Sequence, residues 1–185
     1  VSSTAETAVH GRIVLLLRGI NVGGHHSVPM AALRLLFADE LHCTEFQTYI
    51  QSGNVVCTAS PAGLTPSVVS QAIEQRFGFA VPVVVRTAQE WNALIAANPL
   101  VSAGSGAEFL HLLLLTEPIP VEALHLLQAK LAGEEQLEAR GRELYLSLPH
   151  GAGRSKLALA CSAPKMPRDA TMRNWRTVLH LQSML

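Results

Sequence analysis

Two successive trains of strand and helix signals, β-α-β-β-α-β and then β-α-β-β-α, predict an α+β protein of two ferredoxin-like (βαββαβ) subdomains with antiparallel sheets, the second modified at its C-terminal end. A glycine and serine stretch, residues 102–106, separates the trains. With 185 residues, 49% of them apolar and 15% charged, the chain has enough apolar material for two small cores.

Residues 1–11 carry no basic segment leading into a long apolar one and read as a flexible N-terminal tail. Residues 12–17 are a short apolar run ending near Gly19, a strand buried on both faces. Pro29 stands where a first helical turn begins, and Met30, Leu33, Leu36, Phe37 and Leu41 then recur at helical spacing. Residues 46–50 and 54–58 are strand-like, joined through Gln51-Ser52-Gly53 as a hairpin in which Gly53 supplies a backbone shape other residues resist. Val68, Val69, Ala72, Ile73 and Phe77 repeat helically and stop at Gly78, giving way to the β-branched run 81–86. Thr87 and Glu90 have capping-box spacing for a connecting helix through Trp91, Leu94 and Ile95, which Asn98-Pro99 ends.

In the second train, residues 109–115 form a buried strand, 121–131 a helix, and 136–139 with 143–148 a hairpin around Arg140-Gly141. Residues 155–161 and 173–185 read as helices, with no final strand visible between them. The plan is therefore a tail (1–11), a first subdomain (12–87), a connecting helix and linker (88–107) and a second subdomain (108–185).

Charge and cysteine usage exclude several function classes. Lysine plus arginine equal aspartate plus glutamate at 14 each, so no global field draws the chain to nucleic acid. Three cysteines without CxxC spacing make neither a disulfide scaffold nor a zinc finger, and suit a reducing cytoplasm. The apolar run 13–17 is too short to span a bilayer, so no membrane association is expected.

Polar and glycine-rich segments at the strand ends mark the candidate site. Arg18 offers a bidentate fork to carboxylate or phosphate, Gly23 and Gly24 let backbone N–H groups approach an anion, and Asn21, Gln51, Ser52 and Asn54 offer polar edges. The competing reading is that Asn21 and Asn54 satisfy backbone groups within their own turns. Gly151-Ala152-Gly153-Arg154-Ser155-Lys156 resembles a phosphate loop, but lacks the GxxxxGK[ST] spacing, and capping of a helix by Ser155 is favoured. Lys156 and Arg154 can still face a phosphate. Arg173 and Arg176 share one helical face in this reading, where Arg173 is a candidate to clamp a phosphate or stack on a base, whereas Trp175 anchors the terminal helix to the core. The adjacent His25-His26 pair makes no metal site, Cys57 has no histidine partner, and no catalytic residue or cofactor can be named.

The strings Leu16-Leu17-Arg18-Gly19-Ile20-Asn21-Val22-Gly23-Gly24, Thr48-Tyr49-Ile50-Gln51-Ser52-Gly53-Asn54-Val55 and Arg173-Asn174-Trp175-Arg176-Thr177-Val178 are together similar to the signatures of the domain of unknown function 1697 family. The resemblance spans almost the entire chain. It implies two ferredoxin-like subdomains in small, mostly bacterial, cytoplasmic proteins, and no established activity. The family's motif residues fall on Arg18, Gly19, Asn21, Gly23, Gly24, Tyr49, Gln51, Ser52, Gly53, Asn54, Lys156, Arg173, Asn174, Trp175 and Thr177. His25-His26 departs from the pattern, where a lysine is more typical.

Three functions are compatible with these features. The first is binding of a small anionic or phosphorylated ligand in a cleft lined by glycine-rich loops. The second is a transferase or hydrolase acting on a phosphorylated substrate, for which the sequence supplies charge but no evident proton-transfer group. Single-stranded nucleic-acid binding ranks last, because aromatic residues are only 5% of the chain and the RNP pattern is missing. Oligomeric state is not encoded in any recognisable motif.

Overall fold

The apolar run at the start of the chain becomes β1 (Gly11–Leu17), the centre of an antiparallel sheet, with residues 13–17 all at most 1% exposed. The structure is a computed structural model that describes residues 10–21, 26–50, 53–60, 62–102, 104 and 106–185. The expected tail, residues 1–9, lies outside the described residues, and β1 begins at Gly11, where that tail was expected to end. The chain divides into two units, one ending at Ala88 and the other Gln89–Met184.

In the first unit, α1 (Met30–Leu35) continues into a π-type turn, Leu36–Glu40, and buries Leu33, Leu36 and Phe37. The hairpin strands are β2 (Thr44–Tyr49) and β3 (Asn54–Ala59). Helix α2 (Pro66–Phe77) starts at Thr65, whose side chain accepts from the Val68 N–H, and is capped by Gly78. Strand β4 (Val83–Thr87) completes the sheet in the order β2-β3-β1-β4. Alternation sends Ile13, Leu15, Leu17, Val55, Cys57 and Val83 into one core with Leu33, Phe37, Val69 and Ile73 of the helices.

All of α3 (Ala88–Ala96) but its first residue belongs to the second unit; the helix continues from β4 without an intervening residue and is followed by α4 (Pro99–Ser102). Strand β5 (Leu110–Leu114), α5 (Val121–Gln128), β6 (Gln136–Arg140), β7 (Glu143–Ser147) and α6 (Lys156–Ala160) repeat the first unit's order. The final strand is present: β8 (Thr171–Asn174) pairs antiparallel with β5, giving the order β6-β7-β5-β8. This corrects the expectation that it is replaced or hidden, and it moves Arg173 from helix to strand. Only then does α7 (Trp175–Ser183) begin, with the Asn174 side chain accepting from the Thr177 N–H. The Trp91 indole donates to Val178 O and the Tyr145 hydroxyl to Leu94 O, binding α3 to α7 and β7. Both helices therefore belong to the second unit. Among the described residues no helix is long and apolar enough to cross a membrane.

Candidate functional site

In the first unit the pairing brings the two polar segments together. Leu16 lies opposite Asn54, and beyond them the Leu17 N–H donates to Gly53 O at 2.7 Å. The next N–H, of Arg18, donates to Pro82 O at 2.9 Å, so the start of the loop is fixed between the hairpin turn and the approach to β4. The side chain of Arg18 is part-buried. Gly53 sits at φ +75°, and a Cβ there would meet Leu17 O at 2.4 Å and Leu17 Cβ at 2.9 Å. Glycine is thus required both by the turn and by this approach of two backbones.

The two asparagines are committed to local structure. Asn21 has φ +54°; its amide donates to Val28 O at 3.1 Å while its oxygen accepts from the Val28 N–H at 2.8 Å, and its own N–H donates to His26 O. This closes the loop back on itself. Asn54 is 1% exposed and donates to Tyr49 O at 3.0 Å, holding the hairpin shut. Each is a buried or part-buried polar group with its partner supplied by the turn, as the local reading of these residues expects. Gly23, Gly24, Gln51 and Ser52 lie outside the described residues. His26 stacks on Phe79 with ring centroids 4.4 Å apart.

The second unit separates the two cations that the sequence groups together. On β8, Arg173 directs Nη1 to Thr171 Oγ1 at 2.8 Å and to Met172 O at 2.9 Å, and burial lowers its pKa to about 10. Met172, on the opposite face of the strand, lines an open cavity of about 440 Å³ with Gly153, Arg154, Ser155, Lys156 and Ser162. Lys156 and Arg173 therefore serve opposite faces of one sheet. Arg173 and Arg176 do not share a helical face, because Arg173 precedes α7. Trp175 is 3% exposed and meets Tyr145 edge-on, the anchoring role its place in the sequence suggests.

Around the cavity, Ser155 caps α6 by accepting from the Ala158 N–H at 3.0 Å. Arg154 and Lys156 flank it, both exposed, and the side chains of neither have a hydrogen bond or ion pair among the described residues. Leu159, 75% exposed, adds an apolar wall. Two cations, a hydroxyl and apolar contact make a surface that can receive an anion carrying a nonpolar part.

Two of the three thiols resist ionisation, whereas the hydrogen bond with Cys57 lowers the pKa of Cys43. Cys57 is fully buried, and hydrogen bonding to Cys43 together with burial pushes its thiol up; burial likewise raises Cys161 to about 11.

One residue escapes the sequence reading altogether. Arg86, in β4, is 1% exposed and directs Nη1 to Val85 O at 2.9 Å, just as Arg173 does to Met172 O. Val14 opposes Arg86 and Leu112 opposes Arg173, so the two arginines hold the same position in the two sheets. Its signal was a lone cation closing the β-branched run 81–86.

Comparison with curated proteins gives no match. The structure is similar to that of the conserved bacterial protein SP0830 from Streptococcus pneumoniae, which is 24% identical, with a TM-score of 0.71 over 95% of this chain and 99% of that one. At that identity the likeness concerns the fold. A family model described as "Protein of unknown function (DUF1697)" matches residues 11–145, well over half of the chain, and its span takes in the β1 loop, the first hairpin and most of the second sheet. By that match the chain belongs to the DUF1697 family.

Proposed function

We propose that the protein binds a small anionic, phosphorylated ligand, and that the cavity beside α6 is where the charged group rests. The observation that carries this reading is the pair Arg154 and Lys156, exposed at the rim of the 440 Å³ cavity with their charges uncompensated by any side chain among the described residues. Exposed cations of this kind recognise phosphate oxygens through charge-assisted hydrogen bonds, and the Ser162 hydroxyl adds a donor. Binding rather than turnover is favoured because the lining side chains supply charge, hydroxyls and apolar contact, and among the described residues that line the cavity there is no carboxylate or imidazole to move a proton.

The test is thermal unfolding of the full chain against phosphorylated sugars and nucleotides. A ligand at about 100 times its Kd stabilises the folded state by about 2.7 kcal/mol, a clear rise in Tm. Arg154→Ala with Lys156→Ala is expected to remove the rise while leaving the unliganded Tm unchanged, since neither side chain is held by the fold. A rise that survives this double substitution places the ligand elsewhere, and no rise with any compound of the panel overturns the proposal.

A further inference from the structure

A second cavity lies between α5 and the end of α6. It is smaller, about 220 Å³, and its walls are Leu126 and Leu127 of α5, Ala160 at the end of α6, and Ala163 and Met166 of the turn after it. That turn is rigidly built, with the Ala163 N–H donating to Ala160 O and the Met166 N–H to Ala163 O. The lining is almost wholly apolar. Two lysines, Lys130 and Lys165, stand at its edge, both exposed and neither engaged in a side-chain hydrogen bond or ion pair among the described residues.

Water in an open apolar hollow finds few hydrogen-bond partners on its walls, so an apolar group that displaces it is favoured. A cavity of about 150 Å³ is enough for a benzene ring. The present one therefore takes a ring with a short side chain, or an alkyl tail of similar size. Lysine stems can lie along such a tail while their ammonium groups stay in water and meet a charged head. Apolar walls with a doubly cationic edge select a molecule that is apolar at one end and anionic at the other. We infer that the cavity between α5 and the 160–166 turn is a binding site for a small amphipathic carboxylate, its tail against Leu127 and Met166 and its head between Lys130 and Lys165.

The site is independent of the anion site proposed above. The experiment is calorimetric titration of the full chain with octanoate and octylammonium, accompanied by NMR of the methionine methyl groups. Octanoate is expected to bind at one site per chain and to shift the Met166 methyl resonance. Octylammonium is expected to bind at least about tenfold more weakly, and Lys130→Gln with Lys165→Gln to weaken octanoate by about tenfold. Ala163→Phe fills the cavity and is expected to abolish binding of octanoate with the unfolding transition retained; Ala160→Leu serves if that variant does not fold. Absence of saturable binding, undiminished octanoate affinity in the filled variant, or octylammonium binding as tightly as octanoate overturns the inference. Arg154→Ala with Lys156→Ala is expected to leave octanoate binding untouched, so the two sites fail separately.

Discussion

The two subdomains end their central strands with the same hydrogen bond and then diverge. Leu17 N–H reaches Gly53 O in the first, and Leu115 N–H reaches Arg142 O at 3.0 Å in the second, at equivalent points of equivalent ladders. From there the first chain runs through residues 18–29 before α1, while the second crosses only residues 115–120 before α5. The long connection is closed from within by Asn21. The short one is closed from outside, by the Asp169 carboxylate accepting from both the N–H and the hydroxyl of Thr116. Strand pairing is common to the two halves because it satisfies backbone groups that any sequence carries. Past the strand end the two connections are free to differ, provided some side chain takes over the exposed N–H groups.

The largest difference between the halves is expected at the hairpin turns. Gly53→Ala forces a Cβ into Leu17 O and a left-handed φ on alanine, and is expected to cost about 3 kcal/mol in urea unfolding. Gly141→Ala, in the corresponding turn of the second sheet, shares the positive φ at +60°, but its Cβ would come no nearer than 3.9 Å to the Glu143 carboxylate, so about 1 kcal/mol is expected. Equal losses would show that the close approach at Leu17 does not set the first turn. Next in size, Asp169→Ala removes two charge-assisted bonds to Thr116 and is expected to destabilise by about 2 kcal/mol, with Thr116→Val losing only the hydroxyl's share. Asn21→Ala is expected to cost somewhat less, about 1–2 kcal/mol, and to speed amide exchange at Val28, whose N–H loses its acceptor.

The smallest effect concerns pH. His111 occupies the register position that Ile13 holds in the first sheet, and burial pushes its imidazole below the ordinary value of about 6.5. The unfolded chain then takes up the proton first. Its contribution to stability is complete above about pH 6.5 and is lost as the pH falls from there to the folded-state value. His111→Ile, which makes the second strand match the first, is expected to flatten that slope in urea midpoints measured between about pH 5 and pH 7.5.

Most of the fold was legible because strong periodicity and unambiguous caps coincide. Gly78 closes α2 and Ser155 opens α6, as their residue types require, whereas the start of α2 at Thr65 and Pro66 lies two residues before Val68, where the helical repeat becomes visible. Strand β8 was not legible, for a physical reason: Thr171-Met172-Arg173-Asn174 is four residues long, has no apolar alternation, and ends in an asparagine that is itself the cap of α7. A capping asparagine is compatible with helix after it and leaves no strand signal before it. The same misreading put Arg173 beside Arg176. At the site, sequence pattern located turns whose polar residues the structure shows to be occupied with backbone, as for Asn21 and Asn54. It could not reveal that Arg154 and Lys156 border a cavity, because that depends on Met172 arriving from a strand the pattern had not disclosed.

Both sheets place the first strand made in the middle. On the ribosome, β1 emerges with its apolar residues 13–17 and finds β3 as its first neighbour, but its second, β4, ends only at Thr87. At about 5–20 residues per second, the edge of β1 that faces β4 stays unpaired for about 4–14 s after β1 itself is made. The second sheet repeats the delay with β5 and β8. A newly made chain therefore carries an open edge on an apolar strand twice in succession, and such an edge is a template for other chains until its own neighbour arrives.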